Sequence, residues 1–149
     1  MDKKTLDKLG DLAQLDTDAV GVYGEALERV EDASIKETLT DFRDEHDHHA
    51  KVLVAAIERL GGAAPALSVD LVGRLAEFVT QFRSHGGTRG ALHALKSAEQ
   101  YHNRRYAEAA NWEIDDEELT MSIQQFYREE QRHLSYVESQ LDVLASARQ

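Results

Sequence analysis

Apolar residues recur in steps of three and four along most of this chain, the mark of helices that each bury one face. From about Lys3 to Val30, Leu6, Leu9, Ala13, Asp16, Val20, Tyr23, Leu27 and Val30 form such a seam, and one member is an aspartate. A second stretch from Ser34 to Leu60 buries Ile35, Leu39, Phe42, Leu53, Ala56, Ile57 and Leu60. Ser34, with Glu37 three residues on, reads as its capping box, and Gly61-Gly62 as its end. The third, from about Gly90 to Asn111, places Leu92, Leu95, Glu99, His102, Tyr106 and Ala110 on one face. Asp115 or Asp116 opens the fourth, whose face carries Leu119, Ile123, Phe126, Leu134, Val137, Leu141 and Leu144. Glu130 falls near the midline of that face, with His133 one turn further along.

The turn at Glu31-Asp-Ala-Ser34 is short, so the first two helices are predicted to be antiparallel neighbours. Gly61 to about Gly90 is the one long connection. Within it Ser68 or Asp70 can cap a shorter helix carrying Leu71, Leu75, Phe78, Val79 and Phe82, which His85-Gly-Gly-Thr-Arg-Gly90 breaks. A segment of that length can run back along the bundle as a crossover. The predicted fold is therefore all-α: a four-helix bundle of two antiparallel hairpins joined by a long crossover with a short extra helix, in a single domain over residues 1–149. The apolar face of the extra helix exceeds what capping one bundle face needs, which predicts a homo-oligomer, at least a dimer.

Composition supports helices: the chain has one proline, Pro65, and is rich in Ala, Leu, Glu, Asp and Arg. A formal charge of -11 with no basic block disfavours nucleic acid or an anionic membrane surface as partner. The absence of cysteine excludes disulfides, thiolate metal sites and iron-sulfur centres, so any metal must be held by oxygen and nitrogen. No apolar h-region or membrane-length apolar run is present, and the expected location is the cytoplasm.

Four acids, Asp16, Glu45, Glu99 and Glu130, are predicted to face the core, where an isolated carboxylate must neutralise or find a positive partner. Three begin a Glu-x-x-His pair: Glu45 with His48, Glu99 with His102, Glu130 with His133. His46 and His49 also lean toward the apolar side, so which of the three histidines faces inward is open. The pattern reads as a degenerate repeat of two hairpins: Asp16 precedes Glu45 by 29 residues, Glu99 precedes Glu130 by 31, and Tyr23 and Tyr106 follow the first-helix acids by seven. Four carboxylates neutralise two divalent ions, imidazoles add neutral donors, and the set suits iron or manganese. Tyr23 and Tyr106 are placed either to hydrogen-bond metal-bound carboxylates or simply to fill the core. His85 and His93 read as surface or packing residues, and Trp112 as a packing anchor.

These motifs resemble the ferritin-like superfamily, which includes bacterioferritin and rubrerythrin, over nearly the whole chain. Bacterial ferritin-like stress proteins are close to the same pattern. Glu129 to Leu141 is similar to the fourth-helix ligand segment of that superfamily, and Glu45 to Gly61 to the second. The resemblance implies Glu45, His48, Glu99, Glu130 and His133 as ligands of two iron ions, with Glu99 and Glu130 or Glu45 bridging at the catalytic centre. Asp16 stands where the superfamily usually has glutamate, and His102 where rubrerythrins carry a second acid. The implied activity is activation of O2 or H2O2, oxidising Fe(II) or removing oxidant; a peroxidase of this kind without a rubredoxin centre needs an external electron donor. The alternatives are a manganese or mixed-metal site, or a non-enzymatic stress-associated bundle that binds a partner.

Overall fold

The protein, seen in a computed structural model that describes residues 1–69 and 86–147, is built from four long helices. Helix α1 spans Lys3–Leu27, α2 Ala33–Arg59, α3 Gly87–Ala109 and α4 Glu117–Ser146. Three of them start on an aspartate whose carboxylate accepts an otherwise unpaired first-turn N–H: Asp2 from Thr5 at 2.8 Å, Asp32 from Ile35 at 2.9 Å, Asp116 from Leu119 at 2.9 Å. The start of α2 corrects the expectation from sequence, because Asp32 provides the cap and Ser34 already lies in the first turn. Past the C-cap Leu60, helix α2 is closed by Gly61, whose φ of +93° is open to a residue without Cβ. The N–H groups of Gly61 and Gly62 fold back onto the carbonyls of Glu58 and Ile57.

Cross-helix contacts fix the directions. The N–H of Glu31, just after α1, meets Thr88 at the start of α3 at 2.9 Å, while Lys8 near the start of α1 lies over the ring of Trp112, just past the end of α3. Helices α1 and α3 are therefore antiparallel. At the end of α2, Arg59 pairs with Asp116 at the start of α4 at 2.8 Å, so α2 and α4 are antiparallel too. Helices α2 and α3 then run the same way, and the connection between them must travel the length of the bundle, about 40 Å for a helix such as α2. This is the predicted crossover topology. The extra helix expected at Leu71, Leu75, Phe78, Val79 and Phe82, the residue His85 expected at the surface or in packing, and the oligomer surface inferred from that helix lie outside the described residues.

Two apolar cores fill the bundle. One gathers Val22, Ala26, Leu39, Phe42, Leu92, Leu95 and Val137. The other gathers Leu9, Leu12, Leu53, Ile57, Leu119, Ile123 and Phe126, with Trp112 packed against it as expected. The layer between them is polar. Asp16, His46, His49, Glu99, His102, Glu130 and His133 are all buried there, at most 4 % exposed. Among the described residues no helix is long and apolar enough to cross a membrane.

Candidate metal centre

The polar layer follows from helical periodicity. Taking Leu53 as the inward reference on α2 and 100° per residue, His46 lies about 20° away, His49 about 40°, Glu45 about 80° and His48 about 140°. On α4, Glu130, His133 and Glu129 sit at those same angles, about 20°, 40° and 80°, from Val137. His46 and Glu130 therefore point inward and are equivalent, His49 matches His133, and Glu45 matches Glu129. Reading from sequence had set Glu45 against Glu130, one residue out of register, and had given α2 an inward Glu-x-x-His that it does not present. His48 is exposed, its ring centroid 6.2 Å from that of Phe126. Glu45 is 24 % exposed at the rim.

The two expected rows of residues meet in reciprocal pairs. Because α1 and α3 are antiparallel, a tyrosine two turns after each acid comes level with the acid of the other helix. Tyr23 donates its hydroxyl to Glu99 Oε1 at 2.6 Å, and Tyr106 donates to Asp16. On the opposite side of the bundle, His133 Nε2 meets Glu45 at 3.2 Å and His49 Nε2 meets Glu129 at 3.3 Å. Glu45 also pairs with Arg132. Each of these imidazoles thus has one nitrogen held by a rim carboxylate and the other turned inward, the arrangement by which carboxylates orient metal-binding histidines.

Inside, His46 reaches Asp16 Oδ1 with Nδ1 at 2.8 Å and Glu99 Oε1 with Nε2 at 2.9 Å. His49 Nδ1 lies 3.3 Å from Asp16 Oδ1. Two groups of donors can each hold a metal ion: Asp16, His46, His49 and Glu130, and His46, Glu99, Glu130 and His133, the donor atoms of each lying within 4.8 Å of one another. Glu130 and His46 belong to both. Five buried atoms around them have no hydrogen-bond partner: Glu99 Oε2, both Glu130 carboxylate oxygens, His102 Nδ1 and His133 Nδ1. His133 Nδ1 is 3.7 and 3.8 Å from Glu99 and Glu130, and His102 Nδ1 is 3.9 and 4.0 Å from the same two. Those separations exceed a hydrogen bond, yet they suit ligands arranged about one ion at bonds of roughly 2 Å. Orphaned buried donors are costly, and a metal ion would satisfy them together. The residues therefore fit a metal, although the expected tally of four inward acids becomes three, with four imidazoles.

Taken without an ion, these groups stabilise one another's charges. Burial raises Asp16, but hydrogen bonds from His46 and His49 outweigh it and hold the carboxyl down to about 2. Glu99 is likewise raised by burial yet held well below the usual range by the charge of His46, with its hydrogen bond, and by nearby His133. Burial lowers His46, but the Glu130 and Glu99 carboxylates push it up to about 9. His49 reaches about 12 and His133 about 11, in each case against burial, because carboxylates surround both rings. His102 shifts the other way, because burial dominates, and it stays neutral.

One contributor was not singled out in the sequence. Asn103 Nδ2 donates to the backbone carbonyls of Glu99 at 2.8 Å and Glu130 at 2.9 Å, tying α3 to α4 at the level of two donors. An asparagine four residues after an inward acid, at a helix-helix seam, is the only signal it left.

Fold and site together define an all-α four-helix bundle whose centre is a buried layer of carboxylates and imidazoles able to hold metal. The chain belongs to the family described as a domain of unknown function, DUF2383, whose model matches residues 4–113. That match takes in Asp16, His46, His49, Glu99 and His102 and ends before α4, which supplies Glu130 and His133. A comparison with curated proteins finds no match.

Proposed function

We propose that this protein is a ferritin-like di-metal protein that binds two divalent ions and oxidises Fe(II) with O2 or peroxide. The observation that carries the reading is the convergence of unpartnered buried atoms from Glu99, His102, Glu130 and His133 between two apolar cores. Asp16, His46 and His49 complete the donor set, Glu45 and Glu129 hold His133 and His49 in orientation, and Tyr23 and Tyr106 hold Glu99 and Asp16. Two Fe(II) ions supply the two electrons that reduce one peroxide to two waters, with two protons taken up.

The side chains set the conditions for that exchange. The apolar cores above and below keep bulk water from the layer, which favours small oxidants over larger substrates. At the α2–α4 rim Glu45 and Glu129 are partly exposed, Glu45 beside Arg132, and their carboxylate oxygens are the ligands an incoming cation would meet first. Ferrous ion as both substrate and reductant needs no partner protein, whereas repeated peroxide removal needs an external donor, because the chain has no cysteine from which to build a rubredoxin-like centre. The test is anaerobic Fe(II) loading followed by stopped-flow mixing with O2 or H2O2. Ferric absorbance should grow faster than in buffer, and Glu99→Ala should remove most of the acceleration. Equal rates for wild type, variant and buffer would leave the bundle a binder or scaffold.

A second reading, a manganese or mixed-metal centre, is favoured by the same donor count, since four imidazoles and three carboxylates do not select iron sharply. Elemental analysis of protein from cells replete in both metals separates the two.

A further inference from the structure

The centre has approximate two-fold symmetry, and the places where it fails are informative. Asp16 on α1 answers to Glu99 on α3, Tyr23 to Tyr106, His49 to His133, and Glu45 to Glu129. Three positions break the match. The acid of α1 is one methylene shorter. Ala19 stands on α1 where α3 carries His102, so only one half has that additional imidazole. At the middle, where both donor groups overlap, Glu130 is answered by His46.

That last difference has a chemical consequence. A carboxylate can give one oxygen to each of two ions, whereas a neutral imidazole has one lone pair to give. Glu130 can serve both halves, its Oε1 lying 3.3 and 3.4 Å from His46 and His49 and its Oε2 3.8 and 4.0 Å from His133 and His102. His46 must choose. Both ring nitrogens face a carboxylate, Nδ1 at 2.8 Å from Asp16 Oδ1 and Nε2 at 2.9 Å from Glu99 Oε1, but Glu99 Oε1 already accepts from Tyr23; with the ring proton on Nδ1, donated to Asp16, the lone pair is on Nε2. The hydrogen bonding of the two halves agrees. Asp16 and His49 are engaged at both oxygens and both nitrogens, by Tyr106, His46, each other and Glu129. The unpartnered atoms lie on Glu99, His102 and His133 and on the shared Glu130.

We propose that the two halves bind metal unequally: His46 gives its lone pair to the half built by Glu99, His102, Glu130 and His133, which fills first, and the half built by Asp16 and His49 takes a second ion more weakly. This rests on the proposed di-metal function and assigns an order within it. In the filled first half, Asp16 acts on the ion through His46, holding its Nδ1–H as Glu45 holds that of His133 at Nε2.

The test uses the whole chain and Mn(II) alone, added anaerobically and followed by calorimetry and electron paramagnetic resonance. Two steps are expected, the second at least tenfold weaker. At one Mn(II) per chain nearly all bound metal should give the six-line signal of an isolated ion, and the second equivalent should diminish it through coupling. His49→Gln should abolish the second step and leave the first, while His102→Ala should weaken the first. Circular dichroism checks that both variants fold, and the wild-type titration stands without either. Uptake of two ions in one cooperative step, or substantial coupling at one equivalent, overturns the order while keeping the di-metal reading. Wild-type protein that takes up no Mn(II), Fe(II) or Zn(II) overturns both.

Discussion

Replacing Tyr23 by phenylalanine removes one oxygen atom from a fully buried side chain and leaves its shape unchanged. The loss is the 2.6 Å hydrogen bond to Glu99 Oε1. A hydrogen bond to a charged group contributes about 1.5–3 kcal/mol, and because Glu99 Oε1 keeps its contact with His46 Nε2 at 2.9 Å the lower part of that range applies. About 2 kcal/mol in a chain of this size corresponds to a melting temperature lower by roughly 4–8 °C. On the proposed function the same change frees a ligand carboxylate to rotate, and losing such a support typically costs about 10–100-fold in metal affinity. The loss should fall on the first ion bound, since Tyr23 holds Glu99. Thermal circular dichroism of metal-free protein and Mn(II) calorimetry read the two effects separately. Tyr101→Phe is the control: Tyr101 is 37 % exposed, its hydroxyl meets Arg105 at the surface, and its loss should stay within about 0.5 kcal/mol. A Tyr23→Phe protein as stable and as tight as wild type would refute the view that this hydroxyl holds the centre in shape.

Anaerobic loading should reach about two ions per chain and raise the melting temperature, each ion adding about 2.7 kcal/mol when present at 100 times its dissociation constant, and Glu130→Ala should abolish most uptake because Glu130 belongs to both donor groups. His48→Ala should leave uptake unchanged, whereas His46→Ala should weaken the first step; inductively coupled plasma analysis and calorimetry check both. The metal-free protein should be most stable between about pH 4 and 6.5, as measured by urea unfolding across pH. Asp16, lowered to about 2, contributes stability that is present above its unfolded value and lost as pH falls toward 2, while His46, raised to about 9, contributes stability that is full below its unfolded value and lost as pH rises through 9. A profile that stayed flat from about pH 2 to 9 would show that these groups do not pair as described.

The helices and their crossover were legible because burial imposes a period that an unbroken apolar seam displays directly. Asp16, Glu99, His102, Glu130 and His133 were legible for the same reason: each interrupts such a seam near its midline, and the structure buries all five. The spacing of seven to each tyrosine was visible, but its meaning was not. Only the antiparallel pairing of α1 and α3 turns a step along one helix into a hydrogen bond across to the other. Helix α2 was misread where four polar residues in a row, His46-Asp-His-His49, follow Glu45, so no apolar neighbour marks which of them faces in. A preference for repeating Glu-x-x-His favoured Glu45 and His48, and the angle measured from Leu53 favours His46 and His49. The start of α2 was missed because Ser34 with Glu37 and Asp32 both offer a cap, and the choice turns on which side chain reaches a free N–H.

The layer's balance of charge bears on how the protein reaches a state able to take up metal. Asp16, Glu99 and Glu130 put three acidic side chains between two apolar cores, where unpaired charge is too costly to persist. His46, His49 and His133, all raised above neutral pH by those acids, bring three positive charges to the same layer. The bundle can therefore close around protons before it meets an ion, with Tyr23 and Tyr106 already seated on Glu99 and Asp16. Metal must then displace protons from the imidazoles it uses, so uptake should be accompanied by proton release and weaken as pH falls. His102 is the exception in this exchange. Burial keeps it neutral, its Nδ1 is unpartnered, and it can ligate without first giving up a proton. The imidazole that α3 has and α1 lacks thus lowers the proton cost on one side of the centre, the side on which the unpartnered donors gather.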